Sequence, residues 1–359
     1  MSGKHSAIKG AAWTAGESST RIVADRRRLL EGAVGAAAVL GAPRLAAAAA
    51  RYTLRLATWG SPNAPQVADF VDEFQKLVRQ ESHGSVQVQS FPAGSLVDER
   101  AVPSAIQSRV VDIALTTMGS WASIVPTAGA LNTVFFSPTG ERFDKVIGPG
   151  TPLFRAFDAD MANHGVRLLA ALYNGPVVVV SNFPMGMPAA FRGKTVRVFD
   201  RLTAQIVQTL GGAPSTIGVA DVYPALQRGT VKAAIGGLEG AIGLKEYEVG
   251  KDLLATNGLF GILMTGYVMN KASLDALPQG LQKVVLDAAY RAGRKASQAM
   301  VVAYGEELRQ MHQHGMTVTQ LQPGTAPYEA FKTALAPLAR KQESKFPAAL
   351  VKQILDAQR

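Results

Sequence analysis

The sequence predicts an α/β protein of two units with parallel-rich sheets. Three observations carry that expectation. From Tyr52 to Thr117, strand and helix patterns alternate in the order β-α-β-α-β, which predicts parallel strands covered by helices. A second set of alternating strands and helices begins near Gly165. Residues 279–315 then keep helical periodicity for nearly forty positions. At ~1.5 Å per residue such a helix exceeds 50 Å, longer than one small domain, so it braces two.

In order, "YTLRLATW" (Tyr52–Trp59) alternates as a first strand, and Ser61, Pro62 and Asn63 form a loop. The next segment places Val67, Phe70, Val71, Phe74, Leu77 and Val78 on one helical face and stops at His83-Gly84. "SVQVQSF" is a second strand, a turn through "PAGSLVDE" leads into a helix around Arg100–Ser108, and "VVDIALTT" is a third, mostly buried strand. In the second unit, "GVRLLAALYNGPVVVVSN" supplies two strands and "GKTVRVFD" another. Arg201–Leu210 is a helix ending at Gly211-Gly212, "VADVYPALQRG" a further helix, and "TVKAAIGG" a strand. The apolar, β-rich "GLFGILMTGYVMN" reads as a crossing back to the first unit.

The chain has 359 residues, 47% hydrophobic and 18% charged, enough for a sizeable core. It contains no cysteine, which excludes disulfides, thiolate metal sites, a thiol nucleophile and a lipid anchor on cysteine. The net charge is +10, and the mature region contains no Lys/Arg run with interleaved aromatics, so nucleic acid is a poor partner. Residues 1–50 read as an address. Arg26, Arg27 and Arg28 precede Leu29-Leu30, an apolar run follows, Pro43 breaks it, and Ala46–Ala50 offer small-residue cleavage sites. The arginines before two leucines match a twin-arginine export signal. A transmembrane anchor is the alternative, but the uninterrupted run is short against the ~20 residues a bilayer takes.

Motifs for catalysis fail. "AFRGKT" has Pro188 where a phosphate loop needs glycine, and it enters a strand rather than a helix. No H-E-x-x-H or G-x-S-x-G is present, and the five histidines form no ligand set. No cofactor, metal or catalytic residue is expected.

One residue is out of pattern. In "KTVRVFD", Val196 and Val198 share one face of a strand, while Thr195, Arg197 and Phe199 share the other. An arginine there reaches water, pairs with an internal acid such as Asp200, or waits for something negative. "FPAGSLVDERAVPSAIQSRVVDIALTT", "YNGPVVVVSN", "FRGKTVRVF" and "GVADVYPALQRGTVKAA", followed by "KEYEVGK", resemble the binding-protein family of tripartite ATP-independent periplasmic (TRAP) transporters, of the C4-dicarboxylate-binding (DctP) type. The resemblance runs from about Tyr52 to beyond Leu281.

It implies a two-domain, type II-like periplasmic binding protein with strands crossing between domains, a ligand cleft and a long bridging helix. The expected division is residues 1–50 as signal, 51–174 with 263–302 as the first domain, and 175–262 with 303–359 as the second. It implies a monomeric receptor, not an enzyme, that hands an organic acid to an ion-gradient-driven membrane permease. The same fold serving an ATP-driven importer or a sensor kinase is the alternative, and a periplasmic enzyme a remoter one. In the family, the arginine of the strand that "GKTVRV" resembles pairs with the ligand carboxylate, and Arg197 matches it. A planar, permanently charged guanidinium suits that task. A second family arginine is replaced by Val177, and an aspartate and asparagine by Lys232 and Gly236. Loss of those polar contacts favours a monocarboxylate with an aromatic or branched body over a C4-dicarboxylate. Trp59, Glu99, Met118, Trp121, Tyr173, Asn174, Phe199 and Glu239 are the remaining candidate wall residues, beside Gly236. Core packing, or for Glu99 a solvated helix start, is the alternative for these.

Overall fold

A computed structural model describes residues 51–357, so the export signal read in residues 1–50 lies outside the described residues. The strands are β1 (Tyr52–Ala57), β2 (Val86–Phe91), β3 (Ile113–Thr117), β4 (Val166–Pro176), β5 (Val178–Ser181), β6 (Thr195–Val198), β7 (Ala213–Thr216), β8 (Ala233–Gly236), β9 (Asp252–Ala255), β10 (Ile262–Asn270) and β11 (Thr317–Gln320). The helices are α1 (Pro65–Glu81), α2 (Val102–Gln107), α3 (Pro126–Leu131), α4 (Gly140–Ile147), α5 (Pro152–Asn163), α6 (Arg201–Thr209), α7 (Val222–Gln227), α8 (Leu238–Gly243), α9 (Lys271–Asp275), α10 (Gln279–Gln313), α11 (Ala326–Glu343) and α12 (Ala348–Ala357).

These strands form two sheets. One is five-stranded in the order β2-β1-β3-β10-β4, and the other six-stranded in the order β11-β9-β5-β8-β6-β7. Strands β1, β2 and β3 are parallel, as the alternating pattern predicts. The sheets are nevertheless mixed, because β10 runs antiparallel to β3 and β4, and β5 antiparallel to β8 and β9. The reason is connectivity. The chain leaves the first sheet along β4 and enters the second along β5 after a single residue, Val177; β10 brings it back. Strands that cross between sheets arrive without a helical crossover to reverse them, so antiparallel pairing results. At the crossing, Gly175 and Gly261 take φ of 85° and 83°, which side chains disfavour. The Val177 N–H reaches the Gly261 carbonyl, tying the two crossing segments together.

Each sheet carries its own apolar core. Leu54, Leu56, Phe70, Phe74 and Tyr267 belong to the first, with Phe70 and Tyr267 stacked at 3.4 Å between ring centroids. Val196, Val198, Ile206, Phe191, Phe260 and Phe331 belong to the second. The 35-residue helix α10 packs on α1 and β4 at the first lobe and on α8 and β11 at the second. That is the brace expected from its length. The C-terminal segment departs from the expected division. Phe346, Leu350 and Ile354 join the core of the first lobe, and α12 packs on α3 and α4. No described helix is long and apolar enough to cross a membrane.

Candidate functional site

Strand β6 presents Val196 and Val198, both fully buried, to the core of the second lobe, and period two sends Arg197 the other way. The side chain does not reach bulk water, being 5% exposed. Nor does it pair with an internal acid: among the described residues no carboxylate lies within ion-pair distance. Asp200 caps α6 instead, its Oδ1 accepting from the Thr203 N–H at 2.8 Å, and its Oδ2 accepts from Asn132 Nδ2 at 2.7 Å. Arg197 Nε donates to the Ile217 carbonyl and Nη1 to the Ile235 carbonyl, both at 2.9 Å. Two nitrogens are thereby fixed by the lobe's own backbone, and the Phe199 ring lies 5.8 Å from the guanidinium carbon. Burial lowers the Arg197 pKa, and Glu99, Glu246 and Asp200 act against that from longer range. An arginine stays charged throughout.

Elsewhere in the described residues, several polar atoms have unused hydrogen-bonding capacity. Thr58 Oγ1, Trp59 Nε1, Gln66 Oε1, Asn174 Nδ2 and Glu239 Oε2 are sealed from solvent without a partner. Buried polar groups are normally satisfied, so each orphan calls for an explanation. Thr58 and Trp59 follow β1 at the edge where β3 also ends, and in parallel α/β sheets that edge gathers ligands. Asn174 sits where β4 crosses, its Oδ1 accepting from the Thr265 N–H at 3.1 Å and Oγ1 at 2.6 Å, which aims Nδ2 away from the strand. Gln66 Nε2 donates to Glu239 Oε1 at 3.1 Å, joining α1 of the first lobe to α8 of the second. Between the lobes, Thr117, Met118, Gly119, Asn132, Phe199, Asp200 and Leu263 line a narrow space of about 10 Å³, room for about one water.

The sequence-derived wall residues fall into two groups. Glu99 accepts from Thr117 Oγ1 at 2.6 Å; burial raises its pKa, while Thr117 and the field of Arg197 oppose the shift. Met118 and Phe199 border the interlobe space. Gly236 lies against Arg197, since a Cβ there would stand 3.7 Å from Nη1. Two residues go elsewhere. Trp121 is fully buried and donates through Nε1 to Thr116 Oγ1 at 3.0 Å, a satisfied core residue. Tyr173 turns into the first lobe's core against Phe143, and burial pushes its phenol up to about 12. Both follow from the alternation of a strand or one helical turn, which puts neighbours on opposite faces.

Sequence reading missed Thr58, Gln66, Asn132, Glu246 and Glu307. Gln66 carried a signal: a polar residue beside Val67 at the start of an apolar helical face, where it is 2% exposed. Burial pushes the Glu239, Glu246 and Glu307 carboxyls each up to about 7. A raised carboxyl pKa contributes stability present below the unfolded value and lost as pH rises through the folded value. The ligand-free protein is therefore expected to lose stability between pH ~4.5 and ~7 from these groups. Urea midpoints across pH 5–8 check this, and a flat profile contradicts it.

Among the described residues, no group of three or more His, Cys, Asp or Glu could hold a metal ion. The chain matches the profile of the bacterial extracellular solute-binding proteins, family 7 (DctP), over residues 56–345. A protein named solute-binding protein from Verminephrobacter eiseniae is 29% identical over 319 residues, 87% of this chain and 91% of the relative. The C4-dicarboxylate-binding periplasmic protein DctP of Rhodobacter capsulatus is 25% identical over 300 residues, 79% of this chain and 88% of that one. In fold, the chain is similar to a TRAP periplasmic solute-binding protein from Shewanella oneidensis solved with bound succinate. Their TM-score is 0.79 at 18% identity, covering 86% of this chain and 99% of that one. Two lobes joined by crossing strands, a braced junction, a fixed unpaired arginine and a profile match over most of the length lead to one conclusion: the chain belongs to family 7 of the bacterial extracellular solute-binding proteins.

Proposed function

We propose that this protein is a periplasmic receptor that captures an organic carboxylate between its lobes and delivers it to an ion-gradient-driven TRAP permease. The supporting observation is Arg197, buried and held by two carbonyls with no carboxylate within ion-pair distance among the described residues. A buried charge without a counter-ion is costly, and an arriving carboxylate relieves that cost. In this reading an opened cleft would hydrate the guanidinium, and closure to the buried arrangement seen here would be easiest once the anion is bound. In this reading the first lobe is built on residues 51–174 and 263–302 and the second on 175–262 with the chain beyond 303, α12 excepted. The residues in contact with ligand are Arg197, Trp59, Asn174, Glu99, Phe199, Met118, Gly236 and Glu239. The receptor performs no chemistry on its ligand, and its N-terminal signal is removed on export.

The ligand is a monocarboxylate. Val177, which replaces the second arginine of the resemblance, is 1% exposed and packs in the second lobe's core, so no second cation faces the cleft from there. A thermal-shift panel tests the reading. Monocarboxylates at about 100 times Kd are expected to stabilise the protein by ~2.7 kcal/mol, with succinate and malate weaker. Stabilisation by succinate or malate alone overturns the monocarboxylate assignment, and no shift with any carboxylate overturns the receptor reading.

A further inference from the structure

Two helices from different lobes meet beside the bracing helix. Both α1 of the first lobe and α8 of the second pack on α10. Where they meet, Gln66 Nε2 donates to Glu239 Oε1 at 3.1 Å. The contact is sealed, Gln66 being 2% exposed. The Gln66 backbone is held as well, its carbonyl accepting from the Tyr267 hydroxyl at 3.0 Å. Glycine at 237 leaves room for the carboxyl, because a Cβ there would overlap Glu239 Oε2. Neither Gln66 nor Glu239 lines the narrow interlobe space. With Glu239 ionised the pair is half made. Gln66 Oε1 and Glu239 Oε2 are then both acceptors, buried without a partner. A proton on Glu239 Oε2 makes it the donor that Gln66 Oε1 lacks, and acid and amide meet at two points. The surroundings favour that proton. Burial pushes the Glu239 carboxyl up to about 7 and Glu307 on α10 adds like charge, while N–H groups at the start of α8 and Gln66 oppose the shift. Tyr304, also on α10, is neutral, burial holding its phenol above the usual range. In the turn 246–248 that packs on α8, Glu246 feels the field of Arg197, Tyr247 stacks on His314, and Glu248 accepts from Tyr223. On α1, Asp69 and Glu73 pair with Lys295. No lysine or arginine is among the groups acting on Glu239.

We propose that Gln66 and Glu239 form a proton-operated latch between the lobes. Protonated, Glu239 grips Gln66 at two points and favours the closed arrangement. Ionised, it keeps one hydrogen bond and leaves two buried acceptors unpaired, a cost that separation of the lobes relieves by returning both groups to water. The sign follows from linkage. In an opened junction the Glu239 carboxyl returns towards its ordinary 4.5, so closure takes up a proton between about pH 4.5 and 7. Above that window Glu239 is ionised in both arrangements, and below it protonated in both. The ratio of closed to open protein therefore rises as pH falls through the window, by at most about tenfold per pH unit. A receptor built this way holds its lobes together more firmly on the acid side and lets them part on the neutral side.

The latch rests on the receptor reading only in that the lobes separate; it does not require Arg197 to hold the ligand. The readout uses ligand-free protein, so any contact between Glu239 and a ligand does not enter. The chain has no cysteine, so one introduced pair can be labelled alone. Ser95→Cys and Ala220→Cys put spin labels at exposed positions of the first and second lobe, on loops that approach each other where Arg100 lies against Gly218. Pulsed electron paramagnetic resonance then gives the interlobe distance distribution from pH 5 to pH 8. The closed-to-open ratio is expected to be at least about tenfold higher at pH 5 than at pH 8. Glu239→Gln, whose amide pairs with Gln66 at two points at any pH, is expected to keep the pH 5 ratio throughout. Glu239→Ala, which has neither the pair nor the proton, is expected to stay at or below the wild-type pH 8 ratio throughout. Circular dichroism checks that each variant is folded, and the wild-type comparison stands without them. A wild-type ratio that ignores pH, a pH response that persists in Glu239→Gln, or a Glu239→Gln ratio equal to that of wild type at pH 8 each overturns the latch. In any of these cases, closure by benzoate, isovalerate or succinate at pH 8 leaves the receptor reading standing. A single distance at every pH, with and without those acids, removes the latch and the opening of the cleft together.

Discussion

Replacing Arg197 with Met is expected to abolish carboxylate binding, with Kd rising at least ~100-fold. The thermal shift that a carboxylate gives at about 100 times Kd, worth ~2.7 kcal/mol, then disappears. Three effects set the outcome. The ligand loses the one buried cation among the described residues, and a bidentate charge-assisted pair is among the stronger polar contacts. The Ile217 and Ile235 carbonyls lose their donors, at about 1–3 kcal/mol each where no water replaces them. Against that, a desolvated charge is removed, which by itself stabilises the apo fold. The two structural terms oppose each other, so the ligand-free melting temperature moves less than the ligand-induced shift. The measurement is melting with and without the acid found in the panel. A variant that keeps the full ligand shift removes Arg197 from the binding role. Arg197→Lys keeps charge but not the planar fork and is expected to fall between.

The largest structural effect is expected at Asp112. This residue is 7% exposed and ties three elements together. Its Oδ2 accepts from the Arg55 backbone N–H at 2.9 Å and from Arg55 Nε at 3.0 Å, and its Oδ1 accepts from Ser273 Oγ at 2.8 Å. Its backbone carbonyl receives the Asn270 N–H. Asp112→Ala leaves a strand N–H of β1 and a buried hydroxyl without acceptors, and the predicted loss is about 2–4 kcal/mol. The exposed Arg55 side chain returns to water and adds little. Equilibrium unfolding in urea reads the loss as a lower midpoint with the slope preserved. A change below ~1 kcal/mol contradicts the assignment. The pH dependence has a definite sign. Burial raises the Asp112 carboxyl, but bonds from Arg55 and Ser273 outweigh it and hold the pKa below the usual range. Such a group stabilises above its unfolded pKa and loses its contribution as pH falls through the folded one. The wild type is therefore expected to show an acid-side loss, below about pH 4, that Asp112→Ala lacks.

Legibility in the sequence followed the range of the interactions. The strands Tyr52–Ala57 and Val86–Phe91 and the helices α1 and α10 were readable because their patterning is local: period two or 3.6, with glycine or proline at the ends. The antiparallel placement of β10 and β5 was not, since it depends on which sheet a crossing strand joins. Arg197 was readable because one polar residue broke an apolar strand. The core packing of Trp121 and Tyr173 was not readable, because an aromatic near a strand end has the same local pattern whether it lines a cleft or fills a core; only the partner, Thr116 or Phe143, shows where it packs. Gln66 and Glu239 lie 173 positions apart, and nothing local to either announces the other.

By itself, the sequence determined two α/β units, the long helix that braces them and the arginine that breaks its strand. Those properties are written in short-range periodicity and in residue chemistry that holds in any surroundings. The tertiary structure decided which charges meet. Asp200, three residues from Arg197, turned to Thr203 and Asn132, while Glu99 and Glu246, distant along the chain, came to share its field. Electrostatic energy and desolvation depend on distance and burial in space, and separation along the chain fixes neither.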